Sequence, residues 1–189
     1  MGEVIEINII SKRKNILDKL LQYSSLSAKG QIVDYTIEIM DNWEYDNVFE
    51  LNDIKLVQHY IDDRIICITQ KKDLGVNGIS VENIEGEYNY CVWYNPMNAF
   101  TDKEYLEYSK IFIEYFFCNM MQDEITLCAI GKETLFIYDR NIYQIVNESH
   151  NIDIWLVDKG VYIEDCFSHY KSFGLDNYKF NSKGIVIVY

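Results

Sequence analysis

Three features of the sequence predict an α+β fold, a mostly antiparallel sheet with two main helices packed on one face. Short runs rich in Ile and Val recur along the chain, separated by Gly, Asn and Asp. Two segments, 12–23 and 101–121, carry the helical spacing of apolar residues. The resulting order is β-α-β-β-β-β-β-α followed by further strands. A single antiparallel sheet satisfies it, and a ferredoxin-like core with added strands is one solution. The 189 residues contain no linker, repeat or low-complexity tract, so 1–189 is expected to form one domain that buries roughly 70% of its unfolded surface.

The first strand is expected at 3–10, where apolar and polar residues alternate before an Ile-rich end. Ser11 offers a capping oxygen for the helix at 12–23, in which Ile16, Leu17, Leu20 and Leu21 share one face. The small polar stretch 24–30 ends it. A second strand follows at 31–40, marked by Ile32, Ile37 and Ile39. Segments 48–57 and 64–70 read as two more strands, joined near Asp62 and Asp63. Asp73, Gly75, Asn77 and Gly78 supply turn chemistry, and 79–84 with 87–94 form a hairpin across Glu85-Gly86, closed by Pro96.

Thr101 and Glu104 match the capping-box pattern at the start of the second helix. Ile111, Phe112, Ile113, Phe116, Phe117, Met120 and Met121 make its second half apolar nearly all round, which predicts burial over most of its circumference. It would be about 31 Å long. Short strands are expected at 125–130, 134–138, 142–146 and 152–157. Segment 160–182 is mixed. The closing run 185–189, apolar on both faces, is expected to pair in the interior of the sheet.

Thirty acidic against seventeen basic residues give a net charge of −13. That field repels nucleic acid and anionic lipid and steers toward cationic partners. No apolar run approaches the roughly 18 residues of a membrane span. The first residues include Glu3 and Glu6 and lack a basic region ahead of an apolar one, so no secretory signal and a cytoplasmic location are expected. The five cysteines are odd in number, widely spaced and set in apolar surroundings, as buried free thiols in a reducing compartment would be. The excess of Ile, Asn and Tyr over Ala and Pro is the skew of an A+T-rich bacterial or phage genome.

No catalytic motif stands out. Cys166 and His169 are three residues apart beside Glu164 and Asp165, but a metal site would need further ligands, and His59 and His150 are isolated. The same Cys166–His169 pair, or Ser149 with His150, could be drawn as a nucleophile and its base, though neither lies in a Gly-rich elbow. No phosphate-binding glycine loop occurs. The expectation is a protein without metal, cofactor or catalytic residues.

What stands out is a stretch from Gln31 to Ile54 with seven acids and no Lys or Arg, interleaved with Trp43, Tyr45 and Phe49. Aromatic anchors ringed by acids are suited to docking on a basic protein surface. The expected contact residues there are Asp41, Trp43, Glu44, Tyr45, Asp46, Glu50 and Asp53. A second base-free region, 73–102, adds Glu82, Glu85 and Glu87 near Tyr88, Tyr90 and Trp93. On adjacent strands, the two regions would make one anionic face. The alternative is a solvated strand and loop with Trp43 and Phe49 packed inward.

In general character, carried by Asp41-Asn42-Trp43-Glu44-Tyr45-Asp46 and the charge balance, the chain resembles the toxin-neutralising immunity proteins of bacterial competition systems. The resemblance implies a cytoplasmic inhibitor that covers the active site of a cationic toxin domain, without turnover or cofactor. Two readings stand beside it. One is a phage-encoded inhibitor of a host defence enzyme; the other is a small enzyme with a site near Cys166 and His169.

Overall fold

The computed structural model describes residues 3–27, 32–72, 75–96, 101–122, 124–174 and 183–189. Strand β1 (Ile5–Ser11) shows how the sheet is organised. Side chains alternate between faces along a strand, so Ile5, Ile7 and Ile9 enter one core while Ile10 enters another. β1 lies mid-sheet, antiparallel to β6 (Glu87–Pro96) on one side and to β7 (Ile125–Leu135) on the other. No parallel pair forms around this central strand.

Outward from β6 run β5 (Gly75–Ile84), β4 (Ile65–Lys72), β2 (Ile32–Met40) and the two-residue β3 (Phe49–Glu50), all antiparallel. Outward from β7 run β8 (His150–Val157), β10 (Ile185–Val188) and β9 (Lys171–Gly174), with β10 parallel to both its neighbours. The ten-stranded order is β3-β2-β4-β5-β6-β1-β7-β8-β10-β9. The fold is α+β and mostly antiparallel, as expected, and the closing run is an interior strand.

Helices α1 (Ile16–Ser27) and α2 (Asp102–Asn119) cover one face, hereafter the helix face. Their ring packing is dense: Tyr23 meets Phe112 edge-on at 5.1 Å, and Tyr94 of β6 stacks on Tyr108 at 5.7 Å. The capping box of α2 is formed by Thr101 and Glu104. Segment 12–23 begins its helix later than expected, because Ser11 Oγ accepts the Arg13 N–H in a local turn and the helix starts only at Ile16.

Four expectations are corrected. α2 is amphipathic rather than buried all round: Tyr105, Tyr108, Phe112, Ile113 and Phe116 are buried while Ile111 and Met121 are exposed. A helix lying on a sheet is covered on one side only. Segment 48–57 is not a strand beyond Phe49–Glu50, because Asp53 Oδ1 accepts the Lys55 N–H and caps a 3₁₀ turn at Ile54–His59. Segment 142–146 belongs to α3 (Ile142–Glu148), capped by Asn141 accepting from Gln144 N. A short apolar run does not itself distinguish strand from helix. Segment 134–138 adds no separate strand, since β7 runs on to Leu135. Asp73 and residues 28–30 lie outside the described residues, as does part of 160–182.

The far face is the feature that positions a site. Over β1, β7, β8 and β10 it is covered by α3, by a 3₁₀ turn at Glu164–Phe167 and by neighbouring chain, around Trp155. Among the described residues this second core contains none from β2, β4, β5 or β6. No helix of the described residues is long and apolar enough to cross a membrane.

Candidate binding face

The register places one row of side chains across the far face: Glu50, Glu38, Cys67, Ser80, Cys91, Asn8, Ala129, Trp155 and Val186. From Ala129 onward the row is apolar and covered. Before it the row is polar: Asn8 and Ser80 are buried, while Glu38, Cys67 and Cys91 are half-buried. The next row runs Thr36, Thr69, Gly78, Trp93 and Glu6. A Cβ at Gly78 would lie 2.3 Å from the Trp93 indole, so the missing side chain lets that ring lie flat on the strand. Gly78, a turn residue in the sequence reading, is therefore a strand residue that seats an aromatic.

The acidic loop folds over one end of this bare half. Trp43 Nε1 donates to Glu82 Oε2 at 2.8 Å, and Tyr138 Oη donates to the same oxygen at 2.6 Å. One carboxylate thereby ties the loop after β2 to β5 and to the chain that covers the other half of the face. Met40 and Ile65, paired across β2 and β4 where the loop leaves the sheet, are fully or nearly buried. Burial, followed by the bond to Glu82, pushes the Tyr138 phenol well above its ordinary range, so it remains a donor.

The loop is internally braced. Asn42 Oδ1 accepts the N–H groups of Glu44 (2.9 Å) and Asp46 (3.3 Å), and Asp46 in turn accepts from Asn42 Nδ2 at 2.9 Å. Asp41 accepts from Asn47 Nδ2 at 2.6 Å and pairs with Arg64, a base the loop itself lacks. Tyr45 sits at φ 63° in the left-handed region, uncommon for a bulky side chain, and is 61% exposed. Trp43 is 45% exposed despite its hydrogen bond. The loop therefore presents two large rings that the fold does not bury.

The expected contact residues fall into two groups. Asp41, Asp46 and Asp53 are engaged in holding the local chain, and Glu82 holds the loop to the sheet. Trp43, Glu44, Tyr45, Glu50, Glu85 and Glu87 are exposed or partly so. The two base-free regions do meet, though across β4 rather than on adjacent strands. Glu6 and Tyr138 belong to the same face and were not assigned to it from sequence, whereas Tyr88 and Tyr90, expected near its acids, are buried in the helix-face core. Period-two alternation places Trp93 with Asn89 and Cys91, but only the pairing brings in Glu6 and Tyr138.

The thiols here are not primed as nucleophiles. Burial pushes up both Cys67 and Cys91, with Glu38 adding to the first and Glu6 to the second. Cys166, buried in the second core, is likewise raised by burial and then by Asp165, while His169 is exposed. The structure thus separates the environments of the pair that the sequence placed three residues apart. Among the described residues no group of three or more His, Cys, Asp or Glu side chains is arranged to hold a metal ion.

No known family model, curated protein or solved structure matches this chain.

Proposed function

We propose that the protein is a binding protein whose bare far face, headed by the Trp43 loop, docks on a cationic protein, in the manner of an immunity protein covering the active site of its cognate toxin. The observation that carries this reading is the Trp43–Glu82–Tyr138 junction, which joins the two base-free regions beside a polar half-sheet. Exposed Trp and Tyr side chains are the residue types that dominate interface energetics, and a surrounding anionic field accelerates encounter with a basic partner. Stability does not account for the arrangement: Tyr45 is held in strained backbone and in solvent, and Glu38 directly faces Glu50 across β2 and β3, a like-charge pair. A net charge of −13 also opposes a nucleic-acid ligand.

The test is capture of a basic protein from source-cell extract by the wild type and by a Trp43→Ala/Glu44→Gln/Glu50→Gln variant with an unchanged melting temperature. Capture at low salt that fades at high salt and is absent in the variant is expected. If the captured protein is toxic when produced alone, co-production of the wild type should restore growth and that of the variant should not. Equal capture by both forms would contradict the proposal.

A further inference from the structure

The two ends of the ten-stranded sheet are guarded differently. β9 is a four-residue edge whose Lys171 ammonium lies over the Phe173 ring, and an edge lysine discourages further pairing. At the other end β3 covers only part of β2. Glu50 faces Glu38, Phe49 faces Ile39, and Leu51 N–H donates to the Ile37 carbonyl oxygen at 2.9 Å. The chain then turns away at Asp53 into its 3₁₀ turn. β4 pairs β2 back to Ile32, with a register shift between Ile32 and Asp34. Among the described residues, 34–36 are therefore paired on one side only, and all three side chains are exposed.

The N–H and C=O of one strand residue point to the same side, and that side alternates along the strand. Ile37 turns its carbonyl toward β3, so Tyr35 turns its N–H and C=O the same way. No described backbone bond meets them. The Tyr35 ring is 49% exposed, its phenol reaching the Asn52 carbonyl oxygen at 3.5 Å. Val48 and Phe49 add exposed apolar surface to the same edge.

The charge on this edge selects its occupant. Asp34 and Glu38 flank Thr36 along β2, and Glu50 lies opposite Glu38. A residue added opposite Thr36 would lie within diagonal reach of Asp34 and Glu38 and two places along from Glu50. The bases nearby are Lys71, opposite Asp34 on β4, and the exposed Lys55. A second copy laid along the edge would set acids against acids, whereas a lysine or arginine opposite Thr36 meets three carboxylates.

We infer that this free run of β2 receives an extended basic segment of the partner as an added strand, continuing the line of β3. The inference rests on the cationic partner proposed above and states how it is held. Its test is an NMR titration of ¹⁵N-labelled protein with the peptide acetyl-Thr-Val-Lys-Val-Lys-Val-Thr-amide. The comparisons are the same peptide with Glu for Lys and the lysine peptide N-methylated throughout. The lysine peptide should shift the Tyr35 and Thr36 N–H signals saturably and slow hydrogen exchange at Tyr35. Tyr35→Pro removes the outward N–H and leaves the β4 ladder intact, so it should weaken the peptide about five- to tenfold, as loss of a backbone hydrogen bond does. Asp34→Asn and Glu38→Gln should each weaken it about two- to fivefold. If circular dichroism shows that Tyr35→Pro loses the fold, the N-methylated peptide and the two carboxylate variants still decide.

The inference is overturned if no saturable shift occurs along 34–37, or if the glutamate or N-methylated peptide binds equally well. A free protein that sediments as a dimer, dissociated by Tyr35→Pro, would also overturn it. Edge binding of the lysine peptide without capture of any cationic protein would defeat the broader proposal alone. Capture that depends on Trp43 and survives Tyr35→Pro would defeat the added strand alone.

Discussion

The two halves of the far face share one sheet and one set of rows, yet they end differently. Around β7 and β8 the outward side chains are Leu127, Ala129, Trp155 and Val157, and chain 136–170 returns to bury them. Across β2, β4, β5 and β6 the same face carries Glu38, Cys67, Ser80, Cys91, Thr69 and Trp93, over which no second core forms among the described residues, although Met40 and Ile65 at its end are buried. The helix face behind both halves is largely apolar, interrupted by a buried polar cluster of Ser24, Gln70, Lys72 and Asn77. Backbone pairing is thus indifferent to which half is covered; the outward side chains decide it.

The sharpest way to break this comparison is to truncate the tryptophan in each half. Trp155 is fully buried among Phe136, Phe167 and Tyr170, so Trp155→Ala is expected to cost about 3–5 kcal/mol in urea denaturation. Trp93 is half-buried on a bare strand, and its replacement should cost roughly 1 kcal/mol, the size of an ordinary substitution. Equal losses would mean that both halves are core.

The glycines give a second, smaller contrast. A Cβ at Gly131 would fall 1.9 Å from the Asn151 carbonyl oxygen, which is backbone and has little freedom to give way. Gly131→Ala should therefore cost at the upper end of the roughly 1–3 kcal/mol of an overpacked site. At Gly78 the nearest obstacle is the Trp93 ring, which can swing into solvent, and the Ile68 carbonyl oxygen stands farther off at 2.8 Å. Gly78→Ala should fold with a milder loss and a red-shifted tryptophan emission; an unchanged spectrum would show that the ring does not rest there.

Much of the fold was legible in the sequence. The capping box at Thr101, the hairpin across Glu85-Gly86 and the interior closing strand rest on local rules, and the structure keeps all three. Glu85 and Gly86 both take positive φ, as a tight hairpin turn demands. Segments 48–57 and 142–146 escaped because short apolar runs were decided by a cap, from Asp53 and from Asn141. The candidate face was half legible. The aromatic and acidic residues of the loop are visible in composition, but their junction with Glu82 and Tyr138 spans 39 and 56 positions. No local pattern encodes such a meeting.

The smallest expected effect is on pH dependence and concerns the opposite side of the same hairpin. Asp62 accepts from Lys14 Nζ at 2.7 Å and from Tyr88 Oη at 2.6 Å, and these bonds, Lys14 first, hold its carboxyl below the usual 3.8. A depressed folded pKa adds stability above the unfolded value that is lost as pH falls through the folded one. Asp62→Asn should flatten stability against pH below about 4 while leaving pH 7 to 9 parallel to the wild type. Tyr88, pushed up to about 12 by burial and then by Asp62, gives the opposite limb: its contribution is complete below 10.0 and lost as pH rises through about 12. Thermal melts across both ranges read the two limbs separately.

The three tryptophans are reporters already in place: Trp43 on the loop, Trp93 on the bare half and Trp155 in the covered half. Titrating ¹⁵N-labelled protein with an arginine-rich peptide at low salt and following the three indole N–H signals tests the account most directly. The account predicts that Trp43 and Trp93 shift together, that Trp155 stays fixed, and that the shifts fade as salt screens the attraction. Movement of all three signals alike, or of none, would contradict it.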